Sequence, residues 1–254
     1  MKKTVALTLV TLSLILILSA CGGKVVINTN GGSLDSTYVE NADFEDIISS
    51  IPEREGYVFA GWYSDAAFTD YINPSAITEK QKDANRAFAK WITVPESCTY
   101  GVRKDETTVT DSGRAYQKLD EVVISKDYNV TDLVRAGYTS LEVTVKYSAC
   151  EVNDGNQFVM LYKDENCKKP ATSSLVGIID KYVTGEDEED PSLLYKHRFE
   201  HSGSANPEWK DYEFETTVSL SAIEDKLYIR YGASGEGEDT WKNKDIVVIV
   251  KPVK

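Results

Sequence analysis

Apolar and polar residues follow three different patterns along this chain, and each predicts a different kind of element. From Val5 to Leu18 there is no alternation: the run is almost wholly apolar, broken only by Thr and Ser. Between residues 24 and 92 the pattern is mixed. Val25, Val26 and Ile27 predict a short strand, and Asn28-Thr29-Asn30-Gly31-Gly32 the turn after it, with glycine supplying positive φ angles. Phe44, Ile47, Ile48 and Ile51 fall at i, i+3, i+4 and i+7, one apolar face of a short helix, with Asp43 as N-cap and Pro52 as its stop. Gly56 to Tyr63 and Phe88 to Trp91 predict aromatic strands.

From residue 116 onward the period is two. Leu141, Val143, Val145, Tyr147 and Ala149 alternate with polar residues, so one face is buried and the other solvated. Tyr212, Phe214, Val218 and Leu220 repeat the pattern, as do Leu227, Ile229 and Tyr231, with Tyr228 and Arg230 pointing the other way. Phe158–Tyr162 and Ile246–Val250 are continuous apolar runs, expected of central strands covered on both faces. About seven or eight strands without a long helix predict an antiparallel β-sandwich over 116–254. Residues 93–115, rich in Thr, Ser, Asp and Glu with Pro95 and Gly113, read as a linker holding one short strand. The fold class expected for the chain is mainly β.

Lys2 and Lys3 precede the unbroken apolar run, and Leu18-Ser19-Ala20-Cys21-Gly22-Gly23 follows it. The run is shorter than the roughly 20 residues of a membrane-spanning helix. A charged start, an apolar run, small residues and then cysteine resemble the bacterial lipobox. The resemblance implies a signal peptide over 1–20, a lipidated N-terminus over 21–23, and attachment through Cys21 to the extracytoplasmic face of the cell membrane. Two or three acyl chains, at about 0.8 kcal/mol per buried CH2, anchor a protein stably where one does not.

Within 24–92, Asn30-Gly31-Gly32, Glu55-Gly56-Tyr57-Val58-Phe59, Gly61-Trp62-Tyr63 and Ala89-Lys90-Trp91 occur in an order and spacing that resemble the internalin B repeat, or Listeria–Bacteroides repeat. The resemblance implies a β-grasp-like sheet packed on a short helix, with Tyr57, Trp62 and Trp91 at core positions. It also implies a surface-exposed spacer or interaction module that carries no catalytic residues. Thr78 to Arg86 depart from the family pattern, as a helical turn or as a surface loop.

Charge narrows the partners. The formal net charge of −13 becomes −15 once Lys2 and Lys3 are removed, which argues against nucleic acid and against broad adhesion to anionic lipid. Cys98, Cys150 and Cys167 are an odd number, so at least one is free or bonded to another molecule. A hairpin turning at Asn153-Asp154-Gly155 would hold Cys150 and Cys167 at different heights and keep them apart.

Catalytic chemistry finds little support. His197 and His201 lie in a stretch that reads as a strand, which would hold them about 13 Å apart, too far to share a metal. The acidic runs Glu186–Asp190 and Glu236–Asp239 sit beside turn signals and lack the alternating ligand order of an EF-hand. No cofactor and no metal site are expected, with a structural calcium held by such loops as the alternative. The order Gly137-Tyr138, Trp209-Lys210-Asp211-Tyr212 and Trp241 before Asp245-Ile246-Val247-Val248 loosely resembles galactose-binding-like jelly rolls, which occur in carbohydrate-binding modules. A glycan needs an exposed aromatic plane and a few polar groups. Trp209, Tyr228, Arg230 and Trp241 are the candidates; the structural alternative has the tryptophans plugging the sandwich ends and Tyr228 covering its second face. The expectation is a protein that binds an extracellular glycan and not an enzyme; the alternative is adhesion to a surface protein or a structural spacer in a surface assembly, and the lesser alternative an enzyme of unknown type.

Overall fold

The computed structural model describes residues 15–20, 23–34, 43–111, 115–116, 120–151, 155–163, 193–201, 208–235 and 239–254. Of these it describes the backbone alone for 15–20, 23–24, 107–111, 115–116, 151, 155–160, 193–201, 230–235 and 239–241. Cys21, Cys167 and the acidic run 186–190 lie outside the described residues. The chain falls into two compact units, Met1–Val94 with Val134–Gly137, and Pro95–Leu133 with Tyr138–Lys254.

The first unit is a mixed sheet with a helix on one face. Its elements are β1 (Ile15–Ala20), β2 (Gly23–Asn28), α1 (Phe44–Ser49), β3 (Tyr57–Tyr63), β4 (Tyr71–Ile72), α2 (Glu79–Ala84) and β5 (Arg86–Thr93), and the sheet order is β1-β2-β5-β3-β4. β2 and β5 run parallel, and the other pairs are antiparallel. The backbone of Ile15–Ala20, within the run expected as a leader, pairs antiparallel with β2. Asp43 caps α1 by accepting the Asp46 N–H at 3.0 Å. Phe44, Ile47 and Ile48 then bury against Val25, Ile27, Trp62, Ile72, Ala87 and Ala89.

Ile51 does not join that core. It is 78 % exposed, because the chain turns extended at Ser50, one residue before the position that Pro52 biases away from the helix. Thr78–Arg86 resolves into α2, opened by a capping box: Thr78 Oγ1 accepts from Gln81 N at 3.3 Å, and Gln81 Oε1 accepts from Thr78 N at 3.1 Å. Gln81 is buried, and its Nε2 donates to Asp70 Oδ1 and to the Tyr71 carbonyl, tying the helix to β4.

The glycine motifs have steric causes. Asn30 adopts φ 49° and Gly31 φ 89°, and the Asn30 amide donates to the Ala89 carbonyl at 2.7 Å, closing the turn on β5. A Cβ on Gly32 would stand 2.3 Å from Trp91 Cζ2, so only glycine lets that indole lie on the turn, where its Nε1 donates to the Thr29 carbonyl at 2.8 Å. Ala60 and Gly61 form a bulge opposite Lys90, with Gly61 at φ 102°. The bulge keeps Phe59 and Trp62 on one face, with ring centroids 5.3 Å apart. Trp62 is core, as expected, and Trp91 packs partly buried against it. Tyr57 is 37 % exposed at the start of β3, with the Arg54 guanidinium 3.8 Å above its ring, which corrects its expected core position.

The second unit is an antiparallel β-sandwich. It comprises β6 (Cys98–Arg103), β7 (Thr107–Asp111), β8 (Ala115–Tyr116), β9 (Asp120–Val123), the start of α3 (Val130–Arg135), β10 (Ser140–Glu151), β11 (Gly155–Tyr162), β12 (Leu193–His201), β13 (Lys210–Ser219), β14 (Lys226–Gly235) and β15 (Asp239–Val253). One sheet has the order β13-β10-β15-β6 with β7 also on β15; the other has β12-β11-β14-β8 with β9 also on β14. The stretch expected as a linker therefore supplies β6 and β7 to the first sheet. β6 (CTYGVR) and β7 (TTVTD) are short and carry too few apolar residues for an alternation to be read from the sequence. Leu141, Val143, Val145, Tyr147, Phe214, Val218, Val248 and Val250 fill the core from the first sheet, with Val122, Leu161, Leu227 and Ile229 from the second. Arg103 and Asp120, 2.8 Å apart and mostly buried, join β6 to β9. β15 is central in its sheet but covered on one face only, since Val247 and Ile249 remain half-exposed.

Gly32→Ala is expected to destabilise the first unit by about 1–3 kcal/mol, the usual range for overpacking a filled site. Denaturant unfolding followed by Trp91 fluorescence measures it, and unchanged stability would mean that the indole has room to move.

Candidate binding face

The outward face of the β13-β10-β15 sheet is built by strand parity. Residues 142, 144, 146 and 148 of β10 point away from the core, as do 211, 213, 215 and 217 of β13. Cross-strand pairs close most of this surface. Lys251 donates to Glu142 at 2.9 Å, Lys146 pairs with Glu213 at 3.1 Å, and Ser148 Oγ donates to Asp211 Oδ1 at 2.6 Å. Lys242 pairs with Glu106 at 2.9 Å, and the hydrogen bond to that carboxylate holds its ammonium above the usual lysine range.

A bulge decides what else faces outward. Lys146 lies opposite Val247 and Ser148 opposite Lys244, so Asp245 and Ile246 together oppose Tyr147. Asp245 takes φ 53°, which an aspartate tolerates better than most side chains. The extra residue switches parity along β15. Ile246, Val248 and Val250 fill the core after it, while before it Lys242 and Lys244 face outward and Asn243 is buried.

At the end of this face stands Trp209, just before β13 and on the parity of Asp211. It is 37 % exposed, with the Lys244 ammonium 4.2 Å from its ring centroid. Asp211 and Lys244 flank Ser148 on either side. The result is an aromatic plane, a carboxylate and an ammonium around one shallow surface.

Tyr228 and Arg230 belong to β14 of the other sheet, on its outward parity, and Tyr228 is half-buried opposite Tyr162 and Glu121. Tyr162 is buried although it lies on that same parity. The outward faces of two stacked sheets point away from each other, so Trp209 and Tyr228 do not share a surface. Trp241 lies within β15, opposite Glu151 and Val109 and two residues from the buried Asn243, and not in a turn. The side chains of Trp241 and Arg230 lie outside the described residues. Sequence reading missed Lys244, Asp211 and Ser148, since only the bulge brings Lys244 to Trp209.

Away from this face, local contacts also shift polar groups. The Asp65 carboxylate accepts the N–H groups of Ala67, Thr69 and Asp70 and the Thr69 hydroxyl. Desolvation alone would raise its pKa, but these donors together outweigh it and hold the group below its ordinary value. Burial, followed by the neighbouring Asp127 carboxylate, pushes the Tyr100 hydroxyl above the usual tyrosine range. Among the described residues no three His, Cys, Asp or Glu side chains group to hold a metal ion, and no helix is long and apolar enough to cross a membrane. His197 and His201 lie on strand β12, with only their backbone described.

Residues 24–85 match the family model of the Listeria-Bacteroides repeat domain. No curated protein matches the chain. Among solved structures, one of the infectious bursal disease virus Gx strain is similar at TM-score 0.35 and 9 % identity, over 62 % of this chain and 32 % of that one. The chain thus spans about a third of that protein's length. The structure of TmCBM61 in complex with β-1,4-galactotriose is similar at TM-score 0.25 and 9 % identity, over 58 % of this chain and 90 % of that one. Likenesses this distant say nothing of what this chain binds.

Asp245→Gly is expected to keep the fold, whereas Asp245→Val should cost about 1–2 kcal/mol for a branched side chain in the left-handed region. Thermal unfolding of the two variants checks the bulge; equal stability would mean that position 245 does not hold this conformation.

Proposed function

We propose that this is a lipid-anchored protein of the extracytoplasmic membrane face whose β-sandwich binds a glycan on the outward face at Trp209. The observation that carries the reading is the exposed indole beside Asp211, Ser148 and Lys244. An indole stacks on the C–H face of a sugar ring, and the polar neighbours can accept from and donate to its hydroxyls. The anchor rests on the residues around Cys21, and the match to a repeat domain over 24–85 is in keeping with a module next to the membrane. With one aromatic plane on a shallow surface, a single site of this kind is weak. An array of anchored copies on one membrane would supply avidity.

Two experiments test the two halves. The whole chain, extracted in mild detergent and screened on a glycan array, is expected to give selective binding. Trp209→Ala should weaken it by about tenfold or more, given the value of a buried aromatic contact, while Tyr228→Ala leaves it unchanged. A blank from folded protein would end the sugar reading and turn the search to a protein partner. Separately, Cys21→Ser is expected to abolish acyl labelling and release the protein from membranes. Retention at the membrane would require another anchor.

A further inference from the structure

Resting on that reading, we infer that the ligand is an acidic sugar, its ring stacked on Trp209 and its carboxylate paired with Lys244. The argument comes from the charge pairing of the face. Lys146, Lys242 and Lys251 each hold a carboxylate, at 3.1, 2.9 and 2.9 Å. Lys244 stands among them without a carboxylate partner among the described residues, its ammonium set over the Trp209 ring instead. On a face that pairs its other lysines, a lysine without an acid among the described residues is a local cation available to an incoming anion, against the net charge of the chain.

Asp211, the acid on the parity of the indole, does not cancel that cation. Asp211 lies on β13, across β10 from Lys244, at about 10 Å by the spacing of strands. It accepts the Ser148 hydroxyl at 2.6 Å, and no basic group is paired with it among the described residues. The surface is therefore polarised. The β13 side offers a carboxylate that accepts from sugar hydroxyls, and the β15 side offers the ammonium of Lys244. A sugar ring over Trp209 with its own carboxylate toward β15 and its hydroxyls toward β13 meets both; a neutral sugar leaves Lys244 over the ring it must share. Lys244 is thus the specificity-determining residue, and Trp209 supplies the platform.

The test compares polygalacturonate with a neutral galactan of matched length, by calorimetry on the full chain in detergent at low and at physiological salt. Polygalacturonate should bind more tightly by about fivefold, the worth of an exposed ion pair, and the advantage should shrink as salt rises. Lys244→Gln should remove the preference for polygalacturonate over the galactan, while Trp209→Ala weakens both ligands. Circular dichroism of each variant confirms the fold. Equal or stronger binding of the galactan by the parent protein overturns the acidic-sugar inference and leaves glycan binding standing. Failure of both polymers to bind the folded parent overturns both.

Discussion

The candidate face depends on the register of β10. This strand pairs over nearly its whole length with β13 on one side and β15 on the other, so its strict alternation sets which side chains of three strands meet. Its odd positions from Leu141 to Ala149 are all buried, which leaves a shift by one residue no acceptable alternative. Everything on the outward face inherits that register. Glu142 meets Lys251, Lys146 meets Glu213, and Ser148 stands between Asp211 and Lys244.

Against this fixed frame, one extra residue in β15 has a large effect. The apolar run Ile246–Val250 must present its even positions to the core, and extended backward the same parity would have buried Lys242 and Lys244. Unpaired buried ammonium groups are costly, and the bulge at Asp245 turns both outward. The same geometric device serves the repeat module, where Ala60 and Gly61 oppose Lys90 and keep Phe59 and Trp62 on one face. In both units a bulge reconciles a sheet register with a side-chain pattern that would otherwise conflict with it.

The two units use their aromatic residues differently. In the repeat module the indoles are internal. Trp62 donates to the Ser50 carbonyl at 3.0 Å and Trp91 to the Thr29 carbonyl at 2.8 Å, so each satisfies its N–H while filling the core. In the sandwich Trp209 stands at the rim of a polar sheet face with a lysine over it. An indole spent on packing adds stability; one kept at the surface is free to meet a ligand.

The sequence by itself determined what depends on short-range pattern. The helix at Phe44 with its Asp43 cap, the core strands of the sandwich and the repeat motifs of residues 24–85 all follow from spacing, because a helix or strand face repeats over a few residues. Local sterics also let the glycine motifs be read as turns. Tertiary structure decided what depends on partners distant in sequence. Ile51 lost its expected place because the helix ended at Ser49, two residues before it, Tyr57 because it sits at a strand start. The 93–115 segment became strands because β15 offered ladder partners for a sequence with little alternation of its own. Of the four residues proposed for binding, only Trp209 is described on the candidate face, and its neighbours Asp211, Ser148 and Lys244 come from three strands. Parity along a strand can be counted, but a bulge resets the count, and the bulge at Asp245 is defined only by the strand paired beside it.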